Sequence, residues 1–148
     1  MTITVRPFTA ADKDAFRARW EKYNIFYKRT IPEEATAFTI KRMLDPAVAL
    51  YGAVAEDSER GVVGFVTYLP HIYTGSVEDI VYLHDLYVDE DVRNGGIGRK
   101  LIEHVYAHSK ELGCKAVYWH TQHFNHRAQL LYTKVADKTD FVQYKHVL

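Results

Sequence analysis

The sequence predicts an α/β fold, with a mixed, mostly antiparallel sheet of six to seven strands and helices on both faces. Three observations predict it. Alternating apolar patterns and apolar stripes at helical spacing follow one another in the order β-α-α-β-β-β-α-β-α-β. The polar turn at residues 57–60 joins two strands as an antiparallel hairpin. The helix after the central strand leads to another strand, and a right-handed crossover of this kind makes those two strands parallel.

Length and composition limit the classes of protein to which the chain can belong. Its 148 residues suit one domain, spanning 1–148, and 47% of them are hydrophobic, which argues against disorder. The formal net charge is zero, so no overall field attracts nucleic acid or an anionic membrane. The lone Cys114 excludes an intrachain disulfide framework. Because the chain has no apolar run of transmembrane length and no signal-peptide pattern, we expect a cytoplasmic protein that binds neither nucleic acid nor membrane.

The first third of the chain is predicted to form a short strand and two helices. Residues 2–8 alternate as a strand does, and Thr9 begins a helix through a capping box in which Asp12 replaces the usual Glu. The second helix begins near Pro32 and ends near Leu44. The first helix carries one aromatic stripe, made of Phe16, Trp20, Tyr23 and Tyr27. The stripe indicates core packing, or else its outer end lines a substrate cleft.

The remaining elements are predicted from the same periodicities. Strands are expected over 49–56, 61–69, 80–88, 115–121 and 139–147, and helices over 97–112 and 125–135. Gly113 is a typical residue just beyond the end of a helix. The aromatic character of the closing strand, at Phe141 and Tyr144, suits an interface between subunits.

A glycine-rich bend follows the central strand and is the strongest functional signal. Glycines at 95, 96 and 98 let the backbone adopt positive φ and approach a ligand closely. The helix that begins there presents unpaired N–H groups and the positive end of its dipole, which favour a phosphate. Arg93, Arg99 and Lys100 add cationic side chains. The G-x-x-x-x-G-K-[ST] pattern of phosphate-binding loops is absent, and the bend lacks the position and spacing of a dinucleotide fingerprint.

Two motifs resemble those of a known family. The segment Arg93-Asn94-Gly95-Gly96-Ile97-Gly98, after a strand that ends Leu86-Tyr87-Val88, is similar to the acetyl-CoA motif of the GCN5-related N-acetyltransferases. The segment from Asn125 to Tyr132 resembles the family's N-x-x-A-x-x-x-Y motif. The order of elements matches as well, so the resemblance covers essentially the whole chain. More closely, the chain resembles a small fungal branch of histone/protein and D-amino-acid N-acetyltransferases.

The resemblance implies direct acetyl transfer from acetyl-CoA to a primary amine of an amino acid, a polyamine or a protein lysine. Tyr132 would be the acid that protonates the departing thiolate. Residues 86–88 would pair their main chain with the pantetheine arm, and Asn125 would either touch that arm or cap its own helix. The pyrophosphate would be held by Arg93, Asn94, Gly95, Gly96, Ile97, Gly98 and Arg99. The branch also implies a homodimer or larger homo-oligomer.

The general base is open between several residues. His84 occupies the strand position of the catalytic glutamate in the related diamine acetyltransferases, and its ordinary pKa suits the task. Strand alternation places Asp85 on the opposite face, so that only one of the two should face the cleft. A water relay from Glu78 or Glu56 is the third alternative.

Three further features bear on the function. The family usually has a glycine where this chain has Ala136, so the loop after the last helix is expected to differ. Histidines at 120, 123 and 126, and at 104 and 108, do not form a zincin motif, and no metal is expected. The alternative function is a non-catalytic acyl-CoA-binding or interaction module, which would need neither Tyr132 nor a base.

Overall fold

Among residues 2–148, five strands form one sheet in the spatial order β1-β2-β3-β4-β5. The computed structural model describes residues 2–148, apart from the side chain of Asn94. The strands are β1 (Ile3–Pro7), β2 (Tyr51–Asp57), β3 (Gly61–His71), β4 (Ile80–Val88) and β5 (Val117–Tyr118). The helices are α1 (Lys13–Phe26), α2 (Glu33–Leu44), α3 (Ile97–Glu111) and α4 (His126–Val135). The first four strands are antiparallel neighbours, whereas β5 pairs with β4 in parallel.

Helices cover both faces of this sheet, as the sequence predicts. On one face, Phe16 and Trp20 of α1 and Ile40 of α2 pack on Val54 and Phe65 of the sheet. The aromatic stripe is therefore core packing over most of its length. The other face carries α3 through four fully buried side chains, Ile97, Leu101, Ile102 and Val105.

The ends of the helices follow the local signals in the sequence. The Asp12 carboxylate accepts a hydrogen bond from the Thr9 N–H at 2.9 Å and bonds to the Arg6 guanidinium at 2.8 and 2.9 Å. This pairing lowers the pKa of Asp12. At the end of α3, Gly113 has φ of +77°, the left-handed conformation expected there. Within residues 2–148, no helix is both long and apolar enough to span a bilayer.

The closing strand expected at 139–147 is not formed, so the sheet has five strands rather than six or seven. The apolar side chains of this region point into solvent: Phe141 is 86% exposed and Tyr144 is 93% exposed. The strand expected at 115–121 is also reduced to Val117–Tyr118. A strand is stabilised by the ladder it joins. Because β5 is so short, it offers a closing strand very little backbone to pair with in a single chain.

Candidate functional site

The parallel pair β4–β5 separates almost as soon as it forms. Strand β5 is paired only at Val81 and Tyr82, near the start of β4. The antiparallel pairing with β3 continues on the other side as far as Val88. Within the described chain, residues 83–88 therefore have one edge without a strand partner. Apart from the Val88 carbonyl, which accepts a hydrogen bond from a side chain, the main-chain N–H and C=O groups of this edge are available to an extended ligand.

A β-bulge at His84 reverses the direction of the side chains along β4. Thr67 of β3 is opposite Asp85 and Tyr68 is opposite Leu83, so His84 is the extra residue. Before the bulge, Leu83 packs in the α3 cluster; after it, Tyr87 packs in the α1 cluster, although both have odd numbers. Strand alternation therefore fails here, because it assumes an uninterrupted ladder.

The bulge brings His84 and Asp85 together, which corrects the expectation that only one of them faces the cleft. His84 Nδ1 lies 3.2 Å from Asp85 Oδ2, and the His84 side chain is about half exposed. The buried Asp85 also accepts a hydrogen bond from Thr67 Oγ1 at 2.6 Å and another from the Tyr23 hydroxyl. The hydrogen bond to Asp85 raises the pKa of His84, against the effect of burial. When Nδ1–H of neutral His84 donates to Asp85, Nε2 is left as a proton acceptor.

A cation also lies beside Asp85. Arg29, in the loop between α1 and α2, has Nη2 3.5 Å from Asp85 Oδ1. Its Nε donates to Asn24 Oδ1 at 2.6 Å, and its guanidinium lies over the rings of Trp20 and Tyr23 at 5.6 and 5.3 Å. Tyr23, at the outer end of the aromatic stripe, thus contacts both Arg29 and Asp85. That this end lines a substrate cleft stays a prediction.

Tyr132 occupies the inner side of α4. Its ring packs edge-on against Trp119 with centroids 5.4 Å apart. Burial raises the pKa of Tyr132 to about 12, so the hydroxyl stays protonated at neutral pH. Burial and the charge of Asp85 raise the pKa of Tyr27, and Tyr27 in turn contributes to the raised pKa of Tyr132. The site therefore draws on side chains from the end of α1, from β4 and from α4.

Among the three described glycines of the bend, only Gly96 has the positive φ that the sequence allows. A short 3-10 helix, Glu90–Gly95, leads to Gly96. Gly96 has φ of +72° and comes directly before the first residue of α3. A Cβ on Gly98 would lie 3.2 Å from Leu131, so a bare backbone lets α3 start close to α4. Arg93 is anchored by its Nε to the carbonyl of Val88 at 3.0 Å. The bend thus lies directly beyond the open edge of β4.

The other predicted binding residues have more ordinary contacts. Arg99 pairs with Glu103 one turn along α3, and the side chain of Asn94 lies outside the described part of the structure. Asn125 caps α4, since its Oδ1 accepts from the Ala128 N–H at 3.4 Å. Ala136 has extended backbone rather than a left-handed turn, so the loop after α4 needs no glycine at that position.

Two of the histidines outside the cleft pair with tyrosine hydroxyls. His108 Nδ1 lies 2.6 Å from the Tyr68 hydroxyl, and His120 Nδ1 lies 3.2 Å from that of Tyr82. Among the described side chains, no three of the His, Cys, Asp and Glu types converge in a way that would hold a metal ion.

Thr67 and Arg29 also belong to the site, and the sequence does not mark either of them, whereas Tyr23 and Tyr27 are predicted only as the outer end of the aromatic stripe. Only the aromatic stripe gave a signal, because its outer end leads directly into Arg29. Nothing in the local pattern of β3 marks Thr67, since its role depends on the register opposite the bulge.

Comparison with known proteins shows similarity in sequence. Residues 9–136 match the acetyltransferase (GNAT) family. Over 144 residues the chain is 51% identical to the D-amino-acid N-acetyltransferase HPA3 of Saccharomyces cerevisiae, covering 97% of this chain and 89% of that protein. It is 24% identical over 144 residues to the uncharacterized N-acetyltransferase YhfO of Bacillus subtilis, covering 96% and 95% respectively.

Solved structures share the fold. AAC(6')-Iy in complex with the bisubstrate analog CoA-S-monomethyl-acetylneamine superposes with a TM-score of 0.86 at 18% identity, covering 100% of this chain and 99% of that one. A ribosomal-protein-alanine N-acetyltransferase from Brucella melitensis biovar Abortus 2308 superposes with a TM-score of 0.78 at 17% identity, covering 99% of this chain and 100% of that one. At these identities the likeness concerns the fold alone.

Proposed function

Since the chain belongs to the acetyltransferase (GNAT) family, we propose that it moves an acetyl group directly from acetyl-CoA to the primary amine of a free amino acid. The observation that carries the proposal is the His84–Asp85 pair at the open edge of β4. Tyr132 on α4 would supply the acid. A relative that is 51% identical is a D-amino-acid N-acetyltransferase, which favours an amino acid over the other amines.

The donor would lie along the open edge of β4. The main chain of residues 86–88 would bond the pantetheine arm, and Asn125 would approach the same arm from the start of α4. The pyrophosphate would rest on the N–H groups at the start of α3, with Arg93 and Arg99 as cations beside the bend. Gly95, Gly96 and Gly98 let the backbone come close, and Asn94 and Ile97 complete the segment.

The acceptor would react in one displacement. An amino group is mostly protonated at neutral pH, so His84 Nε2 first takes a proton from the ammonium. The amine nitrogen then attacks the thioester carbon and forms the C–N bond. The tetrahedral intermediate collapses with cleavage of the C–S bond. Tyr132 donates its hydroxyl proton to the departing sulfur. The second proton, which the nitrogen carries after its attack, passes to solvent, and solvent returns one proton to the Tyr132 oxygen and removes one from His84.

The test follows free thiol and acetylated product from purified protein with acetyl-CoA. Amino acids of both hands, polyamines and basic peptides are offered as acceptors. We expect amino acids to be acetylated. A protein that binds acetyl-CoA but releases no thiol with any amine would be a binding or interaction module instead.

Replacement of Tyr132 by Phe tests the acid. Tyr132→Phe removes the hydroxyl while keeping the ring against Trp119, so turnover should fall about 10²- to 10⁴-fold. Acetyl-CoA binding, measured by calorimetry, should be unaffected. Tyr73→Phe is the matched control, because Tyr73 lies exposed in the β3–β4 loop. Unchanged turnover in Tyr132→Phe would remove this residue from the mechanism.

We also propose that two copies associate through residues 137–148, which we call the C-terminal segment. Its apolar side chains are exposed in one chain, and β5 leaves an edge of the sheet open. The C-terminal segment has the alternating pattern of a strand. In a dimer, the segment of one copy could therefore pair with the open sheet edge of the other copy.

A further inference from the structure

Arg29 is a cation in the acceptor cleft that the acetyl-transfer steps do not use. Its side chain is 38% exposed although it pairs with the buried Asp85, so solvent reaches part of it. The loop that carries it follows α1, and Lys28 before it has φ of +54°. The backbone at this point is therefore in a conformation that non-glycine residues seldom adopt.

The guanidinium is held in place from one side. Nε donates to Asn24 Oδ1 at 2.6 Å, and Asn24 is itself buried and donates to the Trp20 carbonyl at 2.9 Å. The guanidinium also makes cation–π contacts with the rings of Trp20 and Tyr23. Nη2 points to Asp85, and no partner for Nη1 is found among the described residues. A fixed guanidinium with donors to spare is suited to receive a carboxylate.

Asp85 places a negative charge next to the positive charge of Arg29 and next to the proposed base, His84. Asp85 Oδ1 lies 3.5 Å from Arg29 Nη2, and Asp85 Oδ2 lies 3.2 Å from His84 Nδ1. An α-amino acid carries its ammonium and carboxylate on one carbon atom, so its receptor needs an anion, a cation and a base close together. Asp85, Arg29 and His84 form such a set.

We propose that Arg29 receives the α-carboxylate of the acceptor and thereby selects α-amino acids over amines that lack a carboxylate. The inference rests on the proposed acetyl transfer and adds the residue that determines specificity. A polyamine or a lysine side chain would place no anion against Arg29. A polyamine would also bring a second positive charge close to the guanidinium.

The experiment compares acceptors that differ only in the carboxylate. The amino acid of either hand that is acetylated fastest is tested beside the amine left by removing its carboxylate, for example phenylalanine beside 2-phenylethylamine. The wild-type protein should favour the amino acid. In Arg29→Gln, kcat/KM for the amino acid should fall about 10- to 100-fold, chiefly through KM, while that for the amine changes little. Arg29→Lys keeps the positive charge but loses the paired N–H donors of the guanidinium, so its kcat/KM for the amino acid should lie between those of the wild type and Arg29→Gln.

The control is Arg17→Gln, on an exposed α1 arginine that pairs with Glu33 away from the cleft. It should leave both acceptors unaffected. An equal loss for amino acid and amine in Arg29→Gln would assign Arg29 to the support of Asp85 and overturn the inference. A wild-type protein that prefers the amine would also overturn it, even if Arg29→Gln does not fold, and would leave acetyl transfer intact. Absence of transfer to every amine would instead contradict the proposed function.

Discussion

At the residue scale, His84 has neighbours that affect its pKa in opposite directions. The hydrogen bond and the charge of Asp85 raise the pKa, whereas burial and the positive charge of Arg29 lower it. The rings of Tyr82 and His84 lie with centroids 5.2 Å apart, and Tyr23 bonds to the same Asp85. The net effect is a pKa above the ordinary value of 6.5.

This environment predicts the pH dependence of the reaction. A base must be neutral to accept a proton, so kcat/KM should rise with pH through an apparent pKa above 6.5. Asp85→Asn removes the negative charge, so the rising limb should move to lower pH. The measurement is the pH profile of kcat/KM for an amino acid whose own amine pKa is known. The sign is opposite for stability: the contribution of His84 to folding is fully present below about pH 6.5 and is lost as the pH rises through its folded pKa.

His84→Gln tests the assignment of the base itself. The variant should lose about 10²- to 10⁴-fold in kcat and should also lose the rising limb. His123→Gln, in the loop before α4, is a suitable control. A rising limb that persists with the same pKa in His84→Gln would transfer the role of base to another group, such as the water relay from Glu78 or Glu56.

The sequence alone names Tyr132, His84 and Asp85 as candidate catalytic residues, because each belongs to a motif or to a strand whose pattern is plain. Their roles stay predictions. Their mutual arrangement was not predictable, because the bulge at His84 depends on the register between β3 and β4. Arg29 was missed for a related reason: its position depends on the packing of the loop after α1 over β4, which no local periodicity reports.

At the scale of elements, α3 has a left-handed glycine at each end. Gly96 precedes its first residue with φ of +72°, and Gly113 follows its last turn with φ of +77°. A Cβ at either glycine would meet no atom within 4 Å, so the cost of an alanine there is conformational. The two glycines therefore provide a matched pair of sites.

Alanine at either position should lower the free energy of unfolding by about 1–2 kcal/mol, measured by urea denaturation. Only Gly96→Ala should also weaken acetyl-CoA binding, measured by calorimetry, because only that end of α3 faces the proposed pyrophosphate. Equal affinity for acetyl-CoA in the two variants would show that the conformation of Gly96 does not contribute to acetyl-CoA binding.

Elements that carry their own signals were predicted well. The expected strand at 80–88 coincides with β4, and α3 begins and ends close to its glycine signals. The closing strand was wrong, although residues 139–147 have the alternation of a strand. Alternation indicates which side chains share a face of a strand. A strand also needs a neighbouring strand to pair with, and a single copy of this chain does not provide one for residues 139–147.

At the scale of the whole molecule, the C-terminal segment leaves an unusual amount of apolar surface exposed. Phe141, Val142, Tyr144 and Val147 are each more than three-quarters exposed. Large contiguous apolar patches typically mark interfaces. A segment of this kind can contribute to the 1,200–2,000 Å² or so that a stable interface buries, provided that a second copy receives it.

We expect the protein in solution to have twice its monomer mass of 17.1 kDa. The measurement is light scattering after size-exclusion chromatography, over a range of protein concentrations. A double variant, Phe141→Lys with Tyr144→Lys, should shift the mass to that of the monomer, because two lysines in place of aromatic side chains oppose burial at the interface. The control is Ile72→Lys with Val77→Lys, in the β3–β4 loop, where Ile72 is 82% and Val77 is 100% exposed. A wild-type protein that stays monomeric at every concentration would contradict the proposal, and so would a double variant that remains dimeric. Since the segment follows α4 directly, the monomeric variant should also show lower turnover if pairing holds Tyr132 in place.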